Sequence, residues 1–217
     1  MTRLSGPQAI LTSAMTGLAF ALFIPLFISG RMGPLDFWWG LTFNVLTLCG
    51  LALFFDHAGR GALWSDVRSQ PARKIFLGAM SAAALYLVFL IGGALAKQVL
   101  PWAGHDIGQV YALKAGVSSG RILLSLLLII GPGEEVFWRG FLQNRAQSVL
   151  GATAGWLAVS ALYAAVHIGS GNLLLVLAAA AGGLFWGYLY FRYGSILVNT
   201  VSHTLWDVAI FLIRPVG

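Results

Sequence analysis

The sequence has 217 residues, of which 59% are hydrophobic and only 9% are charged, whereas an ordinary water-soluble domain is about a quarter charged. This excludes a soluble globular domain and points to a chain immersed in lipid. A net charge of +6 without a basic run fits loop residues meeting anionic headgroups rather than a nucleic-acid footprint, and the single cysteine, Cys49, excludes an intrachain disulfide and a cysteine-based metal cluster.

A spanning helix needs about 20 mostly apolar residues. Runs of that kind predict seven transmembrane helices, at roughly 8–29, 37–56, 75–96, 121–149, 152–168, 172–191 and 195–213. The first follows Arg3 and is longer than a signal-peptide core, without a clear small-x-small cleavage site, so it reads as a retained first helix. The expected architecture is an all-α, polytopic helix bundle forming a single integral-membrane domain over 1–217. The connections are short apart from 57–74 and 97–120, which read as polar loops. The second of these could cap a cavity.

Basic residues near helix ends stay cytoplasmic. Placing the 57–74 loop inside puts Arg3, Arg60, Arg68, Arg73, Lys74, Arg145 and Arg192 there, against Arg31, Lys97, Lys114, Arg121 and Arg214 outside. The expectation is an N-terminus inside, in the cytoplasmic membrane of a prokaryote. Gly183-x-x-x-Gly187 reads as a site of close helix packing. Trp38, Trp39 and Trp102 read as members of an interfacial aromatic belt, and His57 and His105 as solvated loop residues.

Six ionisable residues fall inside the predicted spans: Glu134, Glu135, Arg139, His167, His203 and Asp207. A charge at a helix centre costs about 2.5–3.5 kcal/mol on insertion scales, so such groups face one another or a wet cavity and mark function. The fourth and fifth spans form a hairpin turning near Gly151. Glu134 and His167 each lie roughly 24 Å from that turn at 1.5 Å per residue, so the hairpin returns them to one depth. Glu135 and Arg139 are an i,i+4 pair in the favourable order, acid first, which leaves Glu134 available about 100° away around the helix. His203 and Asp207 share one face of the last span, which begins after Tyr193-Gly194. Gly131-Pro132-Gly133 just ahead of the glutamates predicts either a helix that restarts there, with both acids in its first turn near the N-terminal dipole, or a simple kink.

A carboxylate facing an imidazole can hold a water and take its proton; a second imidazole with a polar partner can stabilise an oxyanion. Two histidines with carboxylates also make a Zn²⁺ ligand set, drawn from Glu134, His167, His203 and Asp207, so a metal-bound water competes with a metal-free one.

Glu134-Glu135-Val-Phe-Trp-Arg139, Tyr163-x-x-x-His167 and His203-x-x-x-Asp207 together resemble the motifs of the CAAX-protease and bacteriocin-processing (Abi) family, which includes the type II CAAX prenyl endopeptidases. The resemblance covers roughly 121–213, a four-helix catalytic core, and leaves 1–120 as accessory helices. It implies an intramembrane endopeptidase with a water-filled cavity, acting on a protein or peptide near its membrane-embedded or C-terminal segment, with or without a lipid attached. Glu134 would be the general base with His167 positioning the water, His203 and the residue at 207 the oxyanion site, and Glu135 and Arg139 structural. The family has been described both as metalloproteases and as using a glutamate-activated water; no cofactor is favoured here. Two positions depart from the pattern: Tyr163 stands where Phe is usual, and Asp207 where the CAAX-processing members carry Asn. An ionised Asp cannot donate to an oxyanion, so Asp207 is expected first to orient His203. The alternatives are an immunity or scaffold protein that keeps the pocket without turnover, and a proton-coupled transporter using the same buried groups.

Overall fold

Hydropathy and length decide most of the architecture. In the computed structural model, which describes residues 5–215, nine helices account for nearly all of the chain. Six stretches are long and apolar enough to cross a membrane: Gly6–Ser29, Phe37–Phe55, Pro71–Val99, Ala152–Ser170, Leu173–Tyr193 and Ile196–Ile213. The protein is an integral membrane protein, and its all-helical class is as expected. Arg3, used above in the charge balance, lies outside the described residues.

Helix α1 (Gly6–Ser29) is followed by a two-stranded hairpin, β1 (Arg31–Met32) paired antiparallel with β2 (Leu35–Asp36), and then by α2 (Phe37–Phe55). The polar stretches read as loops each contain a helix, α3 (His57–Arg68) ahead of α4 (Pro71–Val99), and α5 (Ala103–Ala112) after it. Both are too short to span, which is why a search for spans passed over them. The remaining elements are α6 (residues 119–150), α7 (Ala152–Val166), α8 (Leu173–Tyr193) and α9 (Ile196–Val208, extended by a π-helical turn at Ala209–Ile213). Gly151 (φ 89°) and Gly194 (φ 59°) supply the left-handed backbone that turns the chain at the two predicted hairpins.

Helix α6 departs from expectation at its centre. It neither restarts nor breaks at Gly131-Pro132-Gly133. It stays helical through Gly131–Glu134, between π-helical stretches at Leu126–Ile130 and Glu135–Gln143. The Gly131 N–H reaches back five residues to the Leu126 carbonyl, and the Asn144 N–H to that of Arg139. Wider turns of this kind absorb an extra residue and recur at functional sites. The glycines serve packing: a Cβ on Gly131 would collide with Thr204 of α9, and one on Gly133 with Val45 of α2. Both glutamates are therefore mid-helix, in the centre of the bundle.

Ion pairs hold α6 at both ends. Asp36, which caps α2 through the Trp38 and Trp39 N–H groups, pairs with Arg121 at 2.6 Å; Asp56, which accepts from the Gly59 N–H at the start of α3, pairs with Arg145 at 2.8 Å. Partial burial pushes the Asp36 carboxyl up, but hydrogen bonds from Arg121 and the two backbone N–H groups, with the Arg121 charge, hold it below the ordinary aspartate value of 3.8.

Close packing organises the last four helices. A Cβ on Gly183 would lie 3.1 Å from the Ser160 carbonyl, and one on Gly187 2.8 Å from Trp156 Nε1, so α7 and α8 meet as the small-residue spacing predicts. Gly78 of α4 presses on Val198 and Val201 of α9. Trp39 and Trp102 are partly exposed, as belt residues are. Trp38 is buried, and its indole N–H donates to the Leu113 carbonyl at 2.9 Å. That hydrogen bond makes Trp38 a packing residue under the 97–120 segment and corrects the belt assignment.

Candidate active site

The two adjacent glutamates have different surroundings. Glu135 is fully buried and accepts three hydrogen bonds: from Arg139 Nη1 at 2.8 Å, from Asn199 Nδ2 at 2.9 Å and from His203 Nδ1 at 2.7 Å. The i,i+4 spacing on α6 brings the first donor; α9 supplies the other two. Arg139 is itself buried, its guanidinium 4.8 Å from the centre of the Tyr163 ring and 5.7 Å from that of Trp186. A carboxylate with three donors and a guanidinium on two aromatic faces satisfy each other without water.

Glu134 has one protein hydrogen bond among the described residues, accepted at Oε2 from the Tyr163 hydroxyl at 2.8 Å. The hydroxyl that distinguishes Tyr163 from the more usual phenylalanine thus lands on the carboxylate. His167 sits one turn beyond Tyr163, where α7 ends. Its Nδ1 is 2.8 Å from the Tyr163 carbonyl, which can only accept, so Nδ1 carries a proton and Nε2 is left for other partners. The Phe27 ring of α1 packs on the imidazole with centroids 4.6 Å apart.

His203 lies flat on Trp186, centroids 3.7 Å apart and planes at 23°. Its Nδ1 is taken by Glu135, and its Nε2 is 3.7 Å from Asp207 Oδ2, within ion-pair range but beyond a direct hydrogen bond. The hydrogen bond that orients the ring comes from Glu135, and Asp207 adds an ion pair on the opposite nitrogen.

Glu134, Tyr163, His167, His203 and Asp207 line one half-open cavity of about 110 Å³, with room for several waters. Trp38, Phe37, Trp186 and Trp206 form apolar walls, and Val110 and Leu113 close the end beneath α5. Two residues of the 97–120 segment thus form part of the cavity wall. Asn172 Nδ2 donates to the Asp106 carbonyl at 2.8 Å and Lys114 Nζ to that of Phe211 at 2.7 Å, tying the segment to α8 and α9.

All six sequence-derived residues therefore fall in one connected region, with Glu134, His167, His203 and Asp207 at the cavity and Glu135 and Arg139 behind it. The position missed is Asn199, whose amide bridges Glu135 Oε2 and the Trp186 carbonyl at 2.7 Å. It stands four residues before His203, so the i,i+4 rule that linked His203 to Asp207 would also have found it. Among the described residues no three His, Cys, Asp or Glu side chains converge as a metal-ligand set. Glu135 holds His203 Nδ1, which leaves Nε2 as the nitrogen that faces Asp207.

Fold and site together define a polytopic membrane protein with a carboxylate–imidazole centre enclosed among its helices. Residues 117–209 match the family model described as type II CAAX prenyl endopeptidase Rce1-like. The matched segment runs from the start of α6 through α9, so this part of the chain is similar to a family of CAAX-type endopeptidases. No curated protein and no solved structure matches the chain.

Proposed function

We propose that the protein is an intramembrane endopeptidase that hydrolyses a peptide bond by a glutamate-activated water. The observation that carries the reading is the cavity shared by Glu134, His167, His203 and Asp207, in which Glu134 has no ion-pair partner among the described residues while its neighbour Glu135 has two. A water held between Glu134 and His167 Nε2 gives a proton to Glu134 as its oxygen bonds to the scissile carbonyl carbon. The carbonyl π electrons move onto oxygen. In its cationic form His203 donates from both nitrogens, Nδ1 to Glu135 and Nε2 toward that oxyanion. Collapse breaks the C–N bond, and Glu134 returns the proton to the leaving amine. Asp207, beside Nε2, completes the charge pattern around His203 and is the residue whose exchange for Asn would supply a neutral donor.

The substrate is a protein or peptide whose cleaved bond lies at the depth of the cavity, near a membrane-embedded or C-terminal segment, with or without a lipid. Glu134→Gln reconstituted in liposomes tests the reaction class: cleavage of captured substrate is lost while insertion and folding persist, and retained cleavage would sink the glutamate-base mechanism. Trapping on the same variant, followed by mass spectrometry of the retained peptide, identifies the substrate. A metal-free mechanism further predicts unchanged cleavage after chelation; a stoichiometric metal that disappears in His167→Ala would overturn it.

A further inference from the structure

The helix that carries Asn199, His203 and Asp207 has an anchor outside the family segment. These three side chains stand at i, i+4 and i+8 on α9, and the first two grip Glu135 with bonds of 2.9 and 2.7 Å. An axial slide of about 2 Å stretches cross-helix bonds of that length to about 3.5 Å, out of hydrogen-bond range, so the register of α9 against α6 sets the site. At the start of α9, Asp66 of the surface helix α3 accepts at Oδ2 from the Leu197 backbone N–H at 2.9 Å and from the Ser195 hydroxyl at 3.1 Å. Ser195 Oγ in turn accepts from the Val198 N–H at 3.2 Å. Two unpaired donors of the first turn are thereby met by one local and one distant cap, and the carboxylate lies at the positive end of the helix. Lys74 Nζ bonds both Asp66 Oδ1 and the Asp66 carbonyl at 2.6 Å, fixing the carboxylate from its far side. Asp66 and Lys74 are largely shielded from solvent, and the residues between them join α3 to α4, whose Gly78 presses on the next turn of α9.

We propose that Asp66 is a positioning residue for the reaction, holding α9 in the register that places His203 against Glu135. The proposal rests on the peptidase reading for its catalytic consequence but not for its structural one. Asp66 acts through α9 and touches no reacting atom.

The chain has four histidines, so ring-nitrogen NMR of the full chain labelled with ¹⁵N-histidine in micelles resolves each; His57→Gln, His105→Gln and His167→Gln assign three, leaving His203. In Asp66→Ala the His203 ring signals are expected to move, and the slowly exchanging Nδ1 proton to be lost, while the His167 signals stay in place because α7 has no part in the contact. Asp66→Asn, which keeps an oxygen for the Leu197 N–H, restores them. Should Asp66→Ala not be recovered folded, Asp66→Glu keeps the charge, displaces the acceptor by one methylene and is expected to move His203 alone. In cleavage assays kcat falls about 10- to 100-fold with little change in KM, the pattern of misplacement rather than lost substrate binding. Unmoved His203 signals, equal movement of His167, or failure of Asn to restore the wild-type spectrum would each overturn the proposal. If Glu134→Gln cleaves like wild type, the peptidase reading fails, and the ring signals still decide the role of Asp66.

Discussion

The separate assignments of Glu134 and Glu135 make a stability prediction that needs no substrate. Glu135→Gln leaves the Arg139 guanidinium, 1% exposed, without its anion, and turns an amide NH₂ toward a pocket already supplied with three donors. Breaking a buried ion pair from one side costs about 3–5 kcal/mol. Glu134→Gln retains an acceptor for the Tyr163 hydroxyl and abandons no cation, so its cost is about 1 kcal/mol or less. At about 2–4 °C per kcal/mol for a chain of this size, Glu135→Gln lowers Tm by about 6–20 °C, and Glu134→Gln by no more than about 4 °C. Thermal unfolding in detergent, followed by the near-ultraviolet circular dichroism of the eight tryptophans, reads the difference. Adding Arg139→Met to Glu135→Gln removes the stranded charge and should recover part of the loss, with a coupling of at least about 2 kcal/mol between the sites. Equal losses for the two glutamine variants, or a Glu135→Gln midpoint within about 4 °C of wild type, would refute the division of roles.

Three further outcomes follow from single contacts. Asn199→Leu removes the donor shared by Glu135 and the Trp186 carbonyl; two buried acceptors lose a partner, a destabilisation of about 2–4 kcal/mol in the same unfolding assay, with cleavage reduced as His203 loosens. Gly78→Val places a Cβ 2.7 Å from Val201 Cβ and 2.8 Å from the Val198 carbonyl oxygen, and is expected to cost about 1–3 kcal/mol as α4 is pushed off α9; a midpoint equal to wild type would show that this approach is not tight. Asp36 has a depressed carboxyl in the folded protein, so its contribution is complete above the ordinary value of 3.8 and is lost as pH falls through the folded value. The pair is partly exposed and worth no more than about 1 kcal/mol; Arg121→Met should be slightly less stable than wild type at neutral pH, and the gap should narrow near pH about 2.

The parts of this protein legible in its sequence are those governed by periodicity. Apolar runs of spanning length located the membrane helices, the i,i+4 rule paired Glu135 with Arg139, and equal arms about Gly151 brought Glu134 and His167 to one cavity. What escaped depends on contacts between elements distant in sequence. Gly131-Pro132-Gly133 carries the residues of a helix break, yet Thr204 and Val45 press against the places where side chains would be, so the glycines are used for closeness and the missing proline N–H is accommodated beside a wider turn. Trp38 has the composition and place of a belt residue, but the Leu113 carbonyl comes from 75 positions away to meet its indole. Asp207 is four residues from His203, the right spacing for an orienting carboxylate, and it pairs with Nε2 at 3.7 Å, while the 2.7 Å hydrogen bond on Nδ1 comes from Glu135 on another helix. Local rules report which partners a residue can reach along its own helix; the bundle adds partners from other helices, and Glu135 supplies the shorter contact to His203. Glu135 takes the cations, Asp207 faces the cavity beside His203 Nε2, and Glu134, alone of the adjacent pair, keeps a carboxylate not committed to a cation.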